Sequence, residues 1–128
     1  MMLTEWSPDG KSVVSWIQPQ KPSPQYEAGI FPAEGAGEVR KVPFMPRSQW
    51  SLLGLRWTPD GKGLSTCAEV DGAWTLQVYP LDGGAPRPRV SFVGEEYLFN
   101  YGWSRDGSFV IAQRGTMSSD VVLLENVP

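Results

Sequence analysis

A six-residue motif occurs three times along this chain of 128 residues. Trp-Ser-Pro-Asp-Gly-Lys occupies residues 6–11, Trp-Thr-Pro-Asp-Gly-Lys residues 57–62, and Trp-Ser-Arg-Asp-Gly-Ser residues 103–108. The three tryptophans are 51 and 46 residues apart. A recurrence of this length is typical of repeat proteins, in which each unit is one supersecondary element that cannot cover its own faces. The chain is therefore expected to consist of three similar units.

The motif has the chemistry of a tight turn that joins two strands. Proline presets φ, aspartate accepts hydrogen bonds from nearby main-chain N–H groups, and glycine adopts positive φ. The tryptophan ahead of the turn offers a large apolar surface for packing between neighbouring sheets. A cation-binding ring of carboxylates would need a clustering of ligands that this spacing does not supply. We therefore assign a structural role to Trp6, Asp9, Gly10, Trp57, Asp60, Gly61, Trp103, Asp106 and Gly107.

Alternating apolar and polar residues around the second motif predict four strands, at 51–57, 63–69, 74–79 and 86–92. Asp71-Gly72 is a second tight turn, and Pro86 and Pro88 suit an edge strand. Four antiparallel strands per unit are typical of a β-propeller blade. The predicted fold class is all-β, with about three such blades per chain. Almost no α-helix is expected, because 14 glycines and 12 prolines interrupt every helical pattern.

The other two units follow the same plan. The first has predicted strands at 2–6, 12–17, 26–31 and 38–43, and the third at 96–103, 108–113 and 120–124, one strand short. The whole chain, 1–128, is then a single repeat domain, with blades at about 1–46, 47–92 and 93–128, the last incomplete.

Three blades do not close a ring, because closed propellers have about four to eight. Two apolar faces should remain open, and such faces mark interfaces. Either the chain is a fragment of a longer propeller, or copies of it complete the ring by oligomerisation. A homodimer with six blades is the favoured prediction, and a trimer with nine is the alternative. The open faces are expected to include Val13, Leu53, Leu76, Phe99 and Val122.

The motif Trp-Ser-Pro-Asp-Gly-Lys resembles the blade signature of the TolB-like, or WD-repeat-like, β-propellers over nearly the whole chain. The last blade, residues 97–124, is similar to the carboxyl-terminal blades of propellers in bacterial transmembrane serine/threonine kinases. Arg105 and Ser108 depart from the family pattern, which has proline and lysine there. The resemblance implies a six-bladed ring that binds proteins, peptides or small ligands, often in the periplasm or outside the cytoplasm. Its motif residues are framework and carry over no binding site.

Several classes of function are disfavoured by what the sequence lacks. It has no histidine and one cysteine, Cys67, which excludes Cys-His and Ser-His-Asp catalysis and His-containing metal sites within this chain. We expect no cofactor and no metal. The net charge of −3 and the scattered basic residues argue against nucleic-acid binding. No apolar run approaches the roughly 20 residues that span a bilayer, so no membrane insertion is expected. No signal peptide is recognised, and the sequence leaves the cellular compartment open.

The predicted function is a non-catalytic scaffold that binds a protein or ligand and assembles with itself into a ring. One alternative is a fragment of a longer sensor kinase or TolB-like protein with no independent function; another is the non-catalytic gate propeller of a peptidase. Glu95 and Glu96 are the only adjacent acidic pair, but neighbours in a strand point to opposite faces, which argues against paired-carboxylate catalysis. Candidate channel or loop contacts are Arg47, Gln49, Glu95, Glu96 and Asn100.

Overall fold

The computed structural model describes residues 4–17, 25–46, 54–92, 94, 97–116 and 118. Over these residues the chain forms ten strands in three antiparallel sheets and contains no helix. The prediction of an all-β chain built from four-stranded antiparallel sheets is thereby confirmed. No helix within these ranges is long and apolar enough to cross a membrane.

The first sheet is a meander in which each strand pairs with the next one along the chain. Its strands are β1 (Glu5–Trp6), β2 (Ser12–Ile17), β3 (Gln25–Pro32) and β4 (Arg40–Pro46). The fourth strand extends three residues beyond the predicted end at residue 43. It pairs with β3 through a bulge, which accommodates the extra residue.

The second sheet repeats this meander. Its strands are β5 (Arg56–Trp57), β6 (Gly63–Val70), β7 (Ala73–Pro80) and β8 (Arg87–Phe92). Asp71 and Gly72, with φ of 50° and 79°, join β6 to β7, as Asp-Gly pairs do in hairpins whose turns need positive φ. The edge strand β8 contains Pro88, as predicted.

The third sheet contains β9 (Tyr97–Trp103) and β10 (Val110–Gly115), again antiparallel, with a bulge between Gln113 and Arg114. Strand β10 begins two residues later than predicted, because residues 104–109 complete the turn motif. The predicted strand at 120–124 lies outside the described residues.

The sheets pack face to face, and two apolar clusters fill the spaces between them. The cluster between the first and second sheets includes Val14, Ala28 and Ile30 on one side and Trp57 and Leu64 on the other. The cluster between the second and third sheets joins Cys67 and Leu76 to Leu98 and Tyr101. Each cluster is made of side chains from two sheets, so the sheets are stabilised mainly by each other.

One predicted position on an open face is wrong. Leu76 is fully buried between the second and third sheets, because β7 turns this residue towards Tyr101 and Leu98. Val13 is half-buried and Phe99 is exposed, while Leu53 and Val122 lie outside the described residues.

Candidate functional site

The three motif turns are closed by the same set of hydrogen bonds. In the first turn the Asp9 carboxylate accepts hydrogen bonds from the Ser7 hydroxyl (2.6 Å) and the Lys11 main-chain N–H (2.9 Å). The Ser12 N–H donates to the Ser7 hydroxyl oxygen at 3.0 Å, and the Gly10 N–H to the Ser7 carbonyl at 2.9 Å. Gly10 has a φ of 71°, the left-handed region that glycine adopts without strain.

The other two turns repeat this arrangement residue by residue. Asp60 accepts from Thr58 (2.6 Å) and from the Lys62 N–H (2.9 Å), with Gly61 at a φ of 71°. Asp106 accepts from the Ser104 hydroxyl (2.8 Å) and from both the N–H and the hydroxyl of Ser108, with Gly107 at 75°. These bonds give the three aspartates the turn-capping role that their position in the motif predicts.

The hydrogen bonds hold all three carboxylates in the charged form. They lower the pKa of Asp9 and Asp60 below the usual 3.8 and lower that of Asp106 to about 2, the hydroxyl donors being the leading cause. The extra hydroxyl of Ser108 accounts for the larger effect at Asp106. The third turn, which lacks the proline, thus has one more hydrogen bond to its aspartate than the other two turns have.

The motif tryptophans hold neighbouring sheets together. The Trp57 indole N–H donates to the main-chain carbonyl of Glu5 at 3.3 Å, and the Trp103 indole N–H to the Ser65 hydroxyl at 2.9 Å. Trp57 is 8% exposed, whereas Trp6, at the start of the first sheet, is 61% exposed. Among the described strands no sheet lies in front of the first one, so its tryptophan remains exposed.

A row of polar side chains connects the first strands of the three sheets. Arg56 of β5 lies between Glu5 of β1 and Asn100 of β9, with its guanidinium nitrogens 3.3 Å and 3.2 Å from their oxygens. The Glu5 carboxylate also accepts the Trp57 main-chain N–H at 2.7 Å, and the guanidinium stands 5.6 Å from the centre of the Tyr101 ring. We call Glu5–Arg56–Asn100 the first-strand row, because these hydrogen bonds link the first strands of the three sheets.

Asn100 is the one predicted contact residue that the structure describes, and it is exposed. Arg47, Gln49, Glu95 and Glu96 lie outside the described residues. Glu5 and Arg56 were missed by sequence reasoning, although a signal existed. Each directly precedes a motif tryptophan, so opposite charges occupy the same position of two neighbouring units.

Two grooves run between neighbouring sheets on the side where the turns lie. The groove between the first and second sheets has a volume of about 480 Å³, and the one between the second and third about 370 Å³. Arg40 lines the first of these grooves and Arg87 lines the second. The two arginines are at equivalent positions of their sheets, because Arg40 pairs with Ile30 as Arg87 pairs with Val78. The Arg40 guanidinium donates to the Leu81 carbonyl of the next sheet, while Arg87 is exposed.

Cys67 is not available as a nucleophile in this fold. It is fully buried in the cluster between the second and third sheets, and burial raises its thiol pKa to about 12. Among the described residues, no group of three or more Cys, Asp or Glu side chains is arranged to hold a metal ion.

Comparison of the sequence with known protein families and with curated proteins finds no match.

Proposed function

We propose that the chain is a three-blade segment of a β-propeller, acting as a non-catalytic scaffold that binds a protein or peptide partner. The observation that carries this proposal is the repetition of one sheet-to-sheet junction. A motif tryptophan of each following sheet packs on the sheet before it and donates its indole N–H there, at Trp57 and again at Trp103. Stacking of identical four-stranded units by a repeated contact is how propeller blades are arranged.

The ring is proposed to close through further copies of the same chain. Trp6 and Ile111, at the two ends of the stack, are 61% and 70% exposed. Large apolar side chains left open on a sheet face are typical of an interface. Two chains would supply six blades and three chains nine, with six favoured.

The non-catalytic assignment rests on the roles that the reactive groups already have. The carboxylates of Asp9, Asp60 and Asp106 close turns, and the Cys67 thiol is buried with a raised pKa.

Partner binding is assigned to the first-strand row, because the first strands line the central channel of a propeller. Glu5 and Arg56 are about one-third exposed there, and Asn100 presents an amide.

The assembly is tested by light scattering on a sizing column across a dilution series. We expect a stable mass of twice the chain's 14.2 kDa, which corresponds to six blades. A mass three times 14.2 kDa would give nine blades. A monomer, or a smear of open-ended aggregates, would contradict ring closure and favour a fragment that functions only within a longer protein.

Partner binding is tested with a random-peptide library displayed on phage. Peptides are selected on the wild-type protein and then measured against Asn100→Ala, with Lys62→Ala in an exposed turn as the matched control. We expect the selected peptides to lose most of their binding to Asn100→Ala and to keep it on Lys62→Ala. Peptides that bind both variants equally would place the binding surface elsewhere.

A further inference from the structure

The two open faces of the stack are repeat-equivalents of faces that already pack together inside the chain. On the first sheet, Trp6 pairs with Val13, and Val13 with Phe31. The equivalent row on the second sheet is Trp57, Leu64 and Tyr79, in the same pairing. We call the row Trp6–Val13–Phe31 the head face.

Within the described part of the chain nothing packs on the head face, where Trp6 is 61% exposed and Val13 and Phe31 are half-buried. Its equivalents Trp57, Leu64 and Tyr79 are 8%, 0% and 4% exposed, since the first sheet packs on them. Gly29 is buried beside the head face, and a Cβ built there would lie 2.6 Å from the Ile17 side chain and 2.9 Å from the Phe31 ring. The side chains of Ile17 and Phe31 thus close over the space beside this glycine.

The opposite end of the stack presents the complementary surface. Phe109, directly before β10, and Ile111 of β10 are 63% and 70% exposed and form what we call the tail face. Ile111 pairs with Gly102 as Val14 pairs with Glu5. Val14 is fully buried against the second sheet, so Ile111 occupies the position that a following sheet covers.

Resting on the proposed self-assembly, we infer that the head face of one copy docks on the tail face of another, with Trp6 taking the place that Trp57 has within the chain. The contact is heterologous, head to tail, and continues the stacking interface that the chain makes between its own sheets. Because Trp57 donates its indole N–H to the Glu5 carbonyl, the equivalent acceptor for Trp6 is the Gly102 carbonyl of the other copy.

The chemistry of the tail face decides which internal junction this contact resembles. The second sheet has Ser65 at the equivalent position, whose hydroxyl accepts the Trp103 indole N–H. The first and third sheets have aliphatic Val14 and Ile111 there, which offer no such acceptor. The junction between copies therefore uses a main-chain carbonyl and apolar packing, as the junction between the first and second sheets does.

The test is a complementation experiment with two single variants of the full chain. Trp6→Asp blocks the head face and Ile111→Asp blocks the tail face, and each charge is placed on an exposed side chain, so folding should be retained. Ala85→Asp, on an exposed loop of the middle sheet, adds the same charge away from both faces and serves as the matched control. Circular dichroism verifies that each variant is folded, and the milder pair Trp6→Ala and Ile111→Ser replaces any variant that is not.

We expect each blocked variant alone to be monomeric, Ala85→Asp to keep the wild-type mass, and an equimolar mixture of the two blocked variants to form a dimer. The mixed dimer has one intact junction in place of two, so its apparent dissociation constant should be at least about a hundredfold higher than that of the wild type. A wild-type trimer with the same complementation would also support the head-to-tail junction.

Two results would overturn the inference while leaving self-assembly intact: blocked variants that keep the wild-type mass, or a mixture that stays monomeric when each variant alone is monomeric. The first would place the interface elsewhere, and the second would mean that an intact head face and an intact tail face do not bind each other. A monomeric wild-type protein would overturn both the junction and the proposed ring closure.

Discussion

The Tyr101 hydroxyl lies 2.8 Å from the main-chain carbonyl oxygen of Ser65, which belongs to the neighbouring sheet. The same hydroxyl is 2.9 Å from the Gly54 carbonyl oxygen, and the Ser65 hydroxyl accepts the Trp103 indole N–H. Burial raises the pKa of Tyr101, so it remains a neutral donor. The Tyr101 hydroxyl thus lies within hydrogen-bond distance of polar groups that lose their contact with water when the second and third sheets stack.

Replacing Tyr101 by phenylalanine tests this contact. We expect Tyr101→Phe to lower the free energy of unfolding by about 1–3 kcal/mol, because it removes the single hydroxyl hydrogen that the buried Gly54 and Ser65 carbonyl oxygens share. Tyr79→Phe is the matched control. The Tyr79 hydroxyl is buried and has no hydrogen-bond partner within the described part of the chain, so its removal should be neutral or slightly stabilising. Urea unfolding followed by tryptophan fluorescence measures both, and equal losses in the two variants would contradict the assigned roles.

The aspartate turns predict a specific loss of stability in acid. Because folding lowers the pKa of these carboxylates, their contribution is present above the ordinary pKa of 3.8 and is lost as the pH falls through the folded value, about 2 for Asp106. Asp106→Asn keeps an oxygen that can accept the turn hydrogen bonds but no longer titrates. We expect the melting temperature of Asp106→Asn to fall less than that of the wild type between pH 4 and pH 2.

Glu38→Gln is the control for this acid series, since it removes an exposed carboxylate outside the turns. Its melting temperature should follow the wild-type curve. A steeper acid loss in Asp106→Asn than in the wild type would mean that the charged form of Asp106 does not stabilise the turn.

The buried thiol of Cys67 gives a probe of the space between the second and third sheets. With a pKa of about 12, only about one thiol in 10,000 is ionised at pH 8, and the side chain is also inaccessible. We expect labelling by an aromatic disulfide reagent to be at least about a hundredfold slower in native buffer than in guanidinium chloride. Rapid labelling of the native protein would mean that these two sheets separate readily.

Glu5 tests the link between the first and second sheets. Its carboxylate accepts the buried Trp57 N–H at 2.7 Å, so Glu5→Ala should lower the free energy of unfolding by about 1–3 kcal/mol. Glu5→Gln retains an acceptor and loses only a partly exposed ion pair with Arg56, which is worth about 1 kcal/mol or less. Chemical denaturation of the two variants separates the roles, and equal losses in the two variants would assign the main contribution to the ion pair.

The strands and turns were largely predictable from the sequence because they are set by local chemistry. Asp71-Gly72 fixes the β6–β7 hairpin. Strand ends moved by two or three residues where a bulge or a turn hydrogen bond takes an extra residue, as at β4 and β10. Such shifts depend on how the strands pair, which the spacing of apolar residues in the sequence does not reveal.

The contacts between sheets were much less predictable. The Glu5–Arg56–Asn100 row joins residues 51 and 44 positions apart in the sequence, so it emerges only when the sheets are stacked. The burial of Leu76 also depends on the stacking of sheets. An alternating strand pattern separates the two faces of a strand but does not show which face the neighbouring sheet covers. Trp57 and Trp103 were the exception, since the repetition of the motif already indicated packing between sheets, whereas Trp6, with the same prediction, is exposed.

The meander order of the strands has a consequence for how this chain reaches its folded state. Every hydrogen-bonded strand pair among the described strands joins segments that are consecutive in sequence, so each sheet closes only short loops as it forms. Contacts such as Glu5 with Trp57 span a whole unit and carry a larger loop-closure entropy. Hairpin formation is therefore expected to precede the stacking of sheets along the folding pathway. In the transition state we expect paired strands whose faces are still in contact with water.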